Sequence, residues 1–298
     1  MPKTLSPLRY PGGKSKLAPL VKYIIECKAN TNVTTYIEPF AGGAGVALDL
    51  LLNRTVEKII INDYDKSIYS FWRAILTETE RFIQKINQTQ ITVEEWRKQK
   101  IIYTTLNKKY SFELGFATFF LNRTNRSGIL SAGPIGGYEQ TGNYLIDARF
   151  NKENLIYRIS QIASHRKNIK IYNKDIRSFI VQVINPVQDK AFIYFDPPYY
   201  IKGRELYINY FQKNDHMEIR DYIIKYLKCP WIMTYDAEEN ISNIYKEYKQ
   251  MLYKLNYSLA NKGQSSELII FSEPNICPNN HELEIAGIKT NLFRGGIK

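Results

Sequence analysis

Several short apolar runs in this chain stop abruptly on a polar or acidic residue, and segments of helical period separate them. Thr35-Tyr36-Ile37-Glu38 reads as a short strand. Lys58-Ile59-Ile60-Ile61 ends at Asn62-Asp63, Ile169–Tyr172 at Asn173-Lys174-Asp175, and Ala191–Phe195 at Asp196. Between them, apolar residues recur at helical spacing over Lys16–Lys28 (Leu17, Leu20, Val21, Ile24, Ile25), Val46–Leu52, Lys66–Leu76 and Lys152–Ala163. Strand and helix in alternation build a parallel sheet with covering helices, so the expected class is α/β. Trp231–Thr234 and Leu268–Phe271 read as further strands.

Thr77–Arg149 breaks the rhythm. It holds a charged helix (Val93–Ile102), a helix-like run (Leu114–Leu121), Asn122-Arg123-Thr124-Asn125-Arg126-Ser127-Gly128, and a loop rich in Gly and Tyr up to Tyr144. Long irregular loops in compact proteins are usually functional or disordered. The expected organisation is one α/β domain carrying an inserted helical module.

The Asp196-Pro197-Pro198-Tyr199 turn sets four unlike groups at one strand end. Asp196 offers a carboxylate. Pro197 has no N–H, so its backbone presents only a carbonyl. Pro198 stiffens the turn and pushes the residue before it towards an extended shape. Tyr199 offers a flat face. Two acceptors and a stacking face suit a planar ring with an exocyclic amine, as in adenine. A strand end followed by an ordinary packed loop is the plainer reading of the tetrapeptide alone.

A second constellation is Glu38-Pro39-Phe40-Ala41-Gly42-Gly43-Ala44-Gly45 with Asp63. In parallel sheets cofactors sit at carboxyl strand ends, where glycines let the backbone approach. An acid about 20 residues on accepts ribose hydroxyls. Gly43 and Gly45 begin the dinucleotide fingerprint, which fails at Leu48. A nucleoside without a pyrophosphate, such as S-adenosylmethionine, suits the loop better. Gly12-Gly13-Lys14-Ser15 invites a phosphate-loop reading, but Leu8 stands where that motif needs its first glycine and no strand precedes it. A nucleotide hydrolase is therefore rejected. Asp175 follows a strand and serves equally well as an acceptor for a cofactor's adenine amine or as a helix N-cap.

The 298 residues are 44% hydrophobic, enough for a large core, and carry a formal net charge of +12. That balance favours an anionic partner, nucleic acid being the usual one, although a basic solvated surface produces the same number. The three cysteines are dispersed, with no C-x-x-C, and give neither a disulfide frame nor a metal site. A reducing cytoplasm follows as the expected location. Met1–Leu20 has the pattern of neither a signal peptide nor a membrane span.

Taken in order, Tyr10-Pro11-Gly12-Gly13-Lys14, Tyr36 to Gly45, Asn62-Asp63 and Asp196-Pro197-Pro198-Tyr199 resemble the Dam-type family of adenine-specific DNA methyltransferases. The resemblance covers most of the chain. It implies a Rossmann-like S-adenosylmethionine-dependent methyltransferase fold with a mixed sheet. The catalytic domain would be residues 1–77 and 150–298, and residues 78–149 would form a helical and hairpin DNA-recognition module. It also implies roles. Tyr10, Lys14, Phe40, Gly42, Gly43, Gly45, Asp63, Asp175, Ile176 and Asp196 would form the cofactor site. Asp196, Pro197, Pro198 and Tyr199 would hold the target adenine, flipped out of double-stranded DNA. Arg123, Asn125 and Arg126 are candidates for DNA contacts, as are Lys202, Arg204 and Tyr207 after the catalytic turn. The insert departs from members that read GATC, so the target sequence stays open.

Three other readings stand beside this one. Enzymes acting on protein glutamine usually carry Asn where Asp196 stands. Structured RNA and a non-catalytic DNA-binding subunit remain as alternatives. Methylation of a cytosine ring carbon would want a Pro-Cys nucleophile, and no cysteine here follows a proline. No metal is expected, and a monomer is the default.

Overall fold

The computed structural model describes residues 5–9, 14–29, 32–106, 109–200, 211, 213–255, 265–289 and 292–293. Its strands are β1 (Thr35–Glu38), β2 (Lys58–Asn62), β3 (Ile169–Tyr172), β4 (Ala191–Phe195), β5 (Trp231–Asp236), β6 (Lys249–Leu255), β7 (Ser265–Phe271) and β8 (Leu292–Phe293). They form one sheet in the order β3-β2-β1-β4-β5-β7-β6-β8. The helices are α1 (Ala18–Tyr23), α2 (Gly45–Leu52), α3 (Lys66–Thr77), α4 (Thr79–Gln88), α5 (Val93–Thr105), α6 (Phe112–Thr124), α7 (Lys152–Ser164), α8 (Ile176–Phe179), α9 (Lys213–Tyr226), α10 (Glu239–Ile244) and α11 (Asn280–Ile285). The α/β class expected from the alternating pattern is the one observed.

The chain divides into two compact units. One comprises Met1–Ser15, Ala41–Asp49 and Ile60–Asn173; the other comprises Lys16–Phe40, Leu50–Ile59 and Lys174–Lys298.

In the first unit a phenylalanine core joins α3, α4 and α6. Phe71 stacks on Phe119 at 5.9 Å, and Phe82 meets Phe112, Phe116 and Phe119 edge-on or tilted at 5.4 to 5.8 Å. Each such ring fully buried contributes about 1.5–3 kcal/mol. Helix starts are fixed by side-chain caps: Asp65 accepts from Ser67 N–H, Thr92 from Glu95 and Ser111 from Leu114. α6 is apolar on nearly every side because it is buried on nearly every side, so no helical stripe marks it in the sequence.

In the second unit β1, β4 and β5 run parallel, with Ile37 opposite Ile193 and Tyr194 opposite Ile232. β4 is buried throughout, as a strand covered on both faces must be. β7 pairs antiparallel with both β5 and β6, and β8 antiparallel with β6. The sheet is therefore mixed. The reading from periodicity alone stops at a parallel sheet, because β6 (KQMLYKL) carries two lysines and lacks a clean apolar run. Among the described residues no helix is long and apolar enough to cross a membrane.

Candidate active site

In the first unit the glycine loop is held from three directions. Gly42 N–H donates to Asp63 Oδ2 at 2.8 Å, and Trp72 Nε1 on α3 donates to Gly42 O at 2.9 Å. Ala41 N–H donates to Asn62 O at the end of β2 at 2.9 Å. Gly42 and Ala44 both lie in the left-handed region, at φ 45° and 47°. For alanine that conformation costs about 1–2 kcal/mol, so these hydrogen bonds hold a strained loop in one shape. At Gly45 the close neighbour is Ser15: a Cβ there would sit 2.2 Å from Ser15 Oγ. The structure thus brings Ser15 against the glycine loop, and Lys14 beside it in sequence is buried.

Asp63 is the pivot of this arrangement. Besides Gly42 it accepts Asp65 N–H on Oδ1 at 2.9 Å, its own N–H donates to Tyr172 O on β3 at 3.2 Å, and Asn173 Nδ2 donates to its carbonyl at 2.8 Å. Burial, then the neighbouring Asp65 charge, push its carboxyl up to about 7, against the pull of the two backbone donors. Its residue remains partly accessible, which tempers that shift. Each carboxylate oxygen keeps a lone pair beyond these bonds. A half-open carboxylate beside a glycine turn fits a pair of ribose hydroxyls.

In the second unit, β5 braces the Asp196-Pro197-Pro198-Tyr199 turn at both ends. Thr234 Oγ1 donates to Asp196 Oδ1 at 2.8 Å, and Tyr200 N–H donates to Asp236 Oδ1 at 3.0 Å. Thr234 Oγ1 also lies 2.9 Å from Tyr194 OH. Because the single hydrogen of Thr234 goes to the carboxylate, Tyr194 is the donor in that second contact. Burial and then the Asp196 charge hold the Tyr194 phenol well above its ordinary value, so it stays neutral and able to donate. Pro197 is buried, whereas Asp196, Pro198 and Tyr199 are half-buried.

An aromatic cluster lies beside this turn. His216 on α9 is fully buried, with Nδ1 2.8 Å from Tyr235 OH. Its ring meets Tyr200 at 5.4 Å and Phe211 at 5.6 Å, and Phe211 meets Phe40 edge-on at 5.8 Å. Burial pulls the His216 imidazole down to about 4, despite Asp215 and Asp236, so it is neutral at physiological pH.

The remaining sequence candidates fall in varied settings. Asp175 caps α8, accepting Arg177 N–H at 3.0 Å, and pairs with the Arg177 guanidinium at 2.9 and 3.0 Å, which holds its carboxyl low. Ile176 is buried. Asn125 is fully buried: Oδ1 accepts Trp96 Nε1 at 2.6 Å, and its amide donates to Ile129 O and Leu130 O. That carboxamide shapes the turn carrying the exposed Arg126. Arg123 donates through Nε to Arg149 O at 2.7 Å. Tyr10, Lys202, Arg204 and Tyr207 lie outside the described residues. Among the described residues no cluster of His, Cys, Asp and Glu is placed to hold a metal ion.

Sequence reasoning missed Thr234, Asp236, His216 and Arg9. Asp236 carries the signal used for Asp63 and Asp196, an acid at a strand end. Thr234 carries none, since a threonine in a strand is ordinary.

A sheet whose strands end in a glycine loop with its acid and in Asp-Pro-Pro-Tyr is the arrangement of a methyltransferase. The chain belongs to the D12 class of N6 adenine-specific DNA methyltransferases, whose family pattern matches residues 10–259. It is 26% identical over 206 residues to the type II methyltransferase M.MjaIII of Methanocaldococcus jannaschii, covering 64% of this chain and 68% of that one. It is 24% identical over 276 residues to the type II methyltransferase M1.LlaDCHI of Lactococcus lactis subsp. cremoris, covering 87% and 89%. Among solved structures, the rRNA methyltransferase AviRa of Streptomyces viridochromogenes aligns over 90% of this chain and 88% of that one, with a TM-score of 0.40 and 12% identity. A likeness that weak bears on neither substrate nor site. Membership of the family implies S-adenosyl-L-methionine as methyl donor.

Proposed function

We propose that this protein transfers a methyl group from S-adenosyl-L-methionine to the exocyclic N6 of an adenine in a short duplex DNA sequence, after the base has left the stack. The observation that carries the reading is the Asp196 carboxylate at the end of β4, oriented by the Thr234 hydroxyl and followed by a proline that offers only its carbonyl.

The bound donor supplies an electrophilic sulfonium methyl. An adenine amine is a weak nucleophile because its lone pair is delocalised into the ring. Asp196 and the Pro197 carbonyl accept the two amine hydrogens, which draws the nitrogen towards a tetrahedral shape and frees its lone pair. As the carbon–nitrogen bond forms and the sulfur–carbon bond breaks, positive charge grows on nitrogen. The fixed acceptors stabilise it, and the Asp196 side stands to receive the departing proton. Holding the reacting groups in line provides much of the acceleration. Tyr199 gives the flipped base a stacking partner.

In this reading Asp63 takes the donor's ribose hydroxyls, and Gly42, Gly43 and Gly45 let the backbone approach. Tyr10, Lys14 and Phe40 are assigned to donor binding by the family resemblance. Asp175 and Ile176 serve the donor's adenine. Residues 78–149 are the target-recognition module, with Arg126 on its exposed turn reading bases. Lys202, Arg204 and Tyr207 add DNA contacts. Kinship with type II methyltransferases supports a place in a restriction-modification system.

The test is methylation-sensitive long-read sequencing of DNA treated with the purified protein and S-adenosyl-L-methionine. Methylated adenines confined to one short motif are expected. Unmodified DNA, with label transferred to RNA or to nothing, would overturn the reading.

A further inference from the structure

The first unit gathers arginines around its N-terminal segment. Arg9 N–H donates to Asn122 Oδ1 at 2.6 Å, and Asn122 Nδ2 returns a bond to Arg9 O at 2.9 Å. The Arg9 guanidinium donates to Asn125 O at 3.3 Å. Arg158 on α7 donates to Ser6 O at 3.0 Å. Arg123, between Asn122 and Asn125 in sequence, donates through Nε and Nη2 to Arg149 O. The segment is built in place: Asn122 is buried, and Gly128, at φ 75°, lets its backbone pass where a Cβ would lie 2.3 Å from Arg9 O.

The oxygens that hold Arg9 and Arg123 are carbonyls. They satisfy N–H groups without neutralising charge. Every influence on Arg123 acts in one direction: burial first, then the charges of Arg9, Arg158 and Arg149, pull it down to about 9. Burial and Arg149 act on Arg9 in the same sense. At about 9 the Arg123 guanidinium still holds its proton at neutral pH. Like charges gathered and partly desolvated in this way are stabilised by a multivalent anion with several acceptor oxygens.

We propose that Arg9, Arg123, Arg149 and Arg158 form a phosphodiester-binding cluster that positions DNA without reading its sequence. The proposal rests on the DNA methyltransferase reading and deepens it by separating phosphate contacts from base contacts. Arg123 has committed Nε and Nη2 to Arg149 O, which takes one of the two donor pairs a guanidinium can turn to a guanine in bidentate recognition. Its place is fixed and half-buried, whereas Arg126 stands exposed on its turn. Arg149 is itself exposed, with its guanidinium 5.8 Å from the ring of the exposed Tyr144.

Duplex binding measured across a salt series tests this. Arg149→Ala removes a charge while keeping the carbonyl that holds Arg123, and a thermal melt checks its fold. Each lost phosphate contact lowers the slope of log affinity against log salt by about 0.9. Arg149→Ala and Arg158→Ala are each expected to show that loss, to weaken target and scrambled duplexes equally, and to leave the methylated motif unchanged. Arg126→Ala is expected instead to relax the choice of motif. A wild-type slope retained in both cluster variants, or a change of motif in either, would overturn the proposal while leaving the methyltransferase reading in place. A wild-type protein that neither binds duplex DNA nor labels adenine would overturn that reading, and this inference with it.

Discussion

Thr234 Oγ1 donates a 2.8 Å hydrogen bond to Asp196 Oδ1 across the adjoining ends of β5 and β4, and receives one from the neutral phenol of Tyr194. The chain Tyr194 to Thr234 to Asp196 polarises in one direction, which strengthens its last bond. Thr234→Val keeps the shape and removes the donor. A bond to a charged group contributes about 1.5–3 kcal/mol, so kcat is expected to fall roughly 10- to 100-fold with the KM for DNA little changed. Thr234→Ser should restore most of the loss. Steady-state methylation kinetics decide the matter, and a Ser variant as slow as Val would count against the hydrogen bond.

Under the proposed mechanism Asp196→Ala removes one of two acceptors for the target amine. Methyl transfer is expected to fall by at least about 10²–10³-fold while the thermal melt stays close to wild type. Normal turnover in that variant would sink the mechanism.

Gly45→Ala places a Cβ 2.2 Å from Ser15 Oγ but 3.4 Å from Ser15 Cβ. The single variant should therefore distort the glycine loop and weaken donor binding by about tenfold or more, on the scale of overpacking strain. Adding Ser15→Ala removes the clashing oxygen and should recover the affinity. Calorimetric titration with S-adenosyl-L-methionine measures both, and failure of the double variant to recover would show that Ser15 is not the obstacle.

With its carboxyl pushed up to about 7, Asp63 becomes a full carboxylate only above neutrality. Donor affinity is expected to rise between pH 6 and pH 8 and to level off beyond. Asp63→Asn should bind weakly with a flat profile over that range. A wild-type profile equally flat would mean that the carboxylate is already ionised well below pH 7.

His216 contributes a pH term to stability. Its folded value of about 4 lies below the ordinary histidine value of 6.5, so below pH 6.5 the unfolded chain binds a proton that the folded one does not. Stability is therefore lost as pH falls from about 6.5 towards 4. Asp63 acts with the opposite sign, its contribution being greatest at low pH and declining as pH rises through about 7. Chemical denaturation of wild type and His216→Gln separates the two. The difference between them should shift in favour of the variant on acidification, and parallel curves would refute the assignment.

Much of the proposed site is legible because its chemistry is written in consecutive residues. A strand end, a proline without an N–H and an aromatic face stand together in Asp196 to Tyr199, and Asp63 follows the glycine loop at a diagnostic distance. Asp175 was ambiguous in sequence for a good reason: a strand-end acid before a helix is also an N-cap, and here it caps. Asn125 reads as a polar residue in a basic turn until Trp96, 29 residues away, is seen to occupy its oxygen.

Local order along the chain determined the α/β class, the strand-end acids and the Asp196-Pro197-Pro198-Tyr199 turn, since strand and helix periods and turn chemistry are short-range properties. Tertiary structure alone decided which atoms finish the site. Thr234 reaches Asp196 from 38 residues away because parallel pairing brings their strand ends together. Arg9 reaches Asn122 across 113 residues because a buried amide there has both an acceptor and a donor to satisfy. Partners of this kind are chosen by burial, which obliges each polar group to find a mate wherever the fold supplies one.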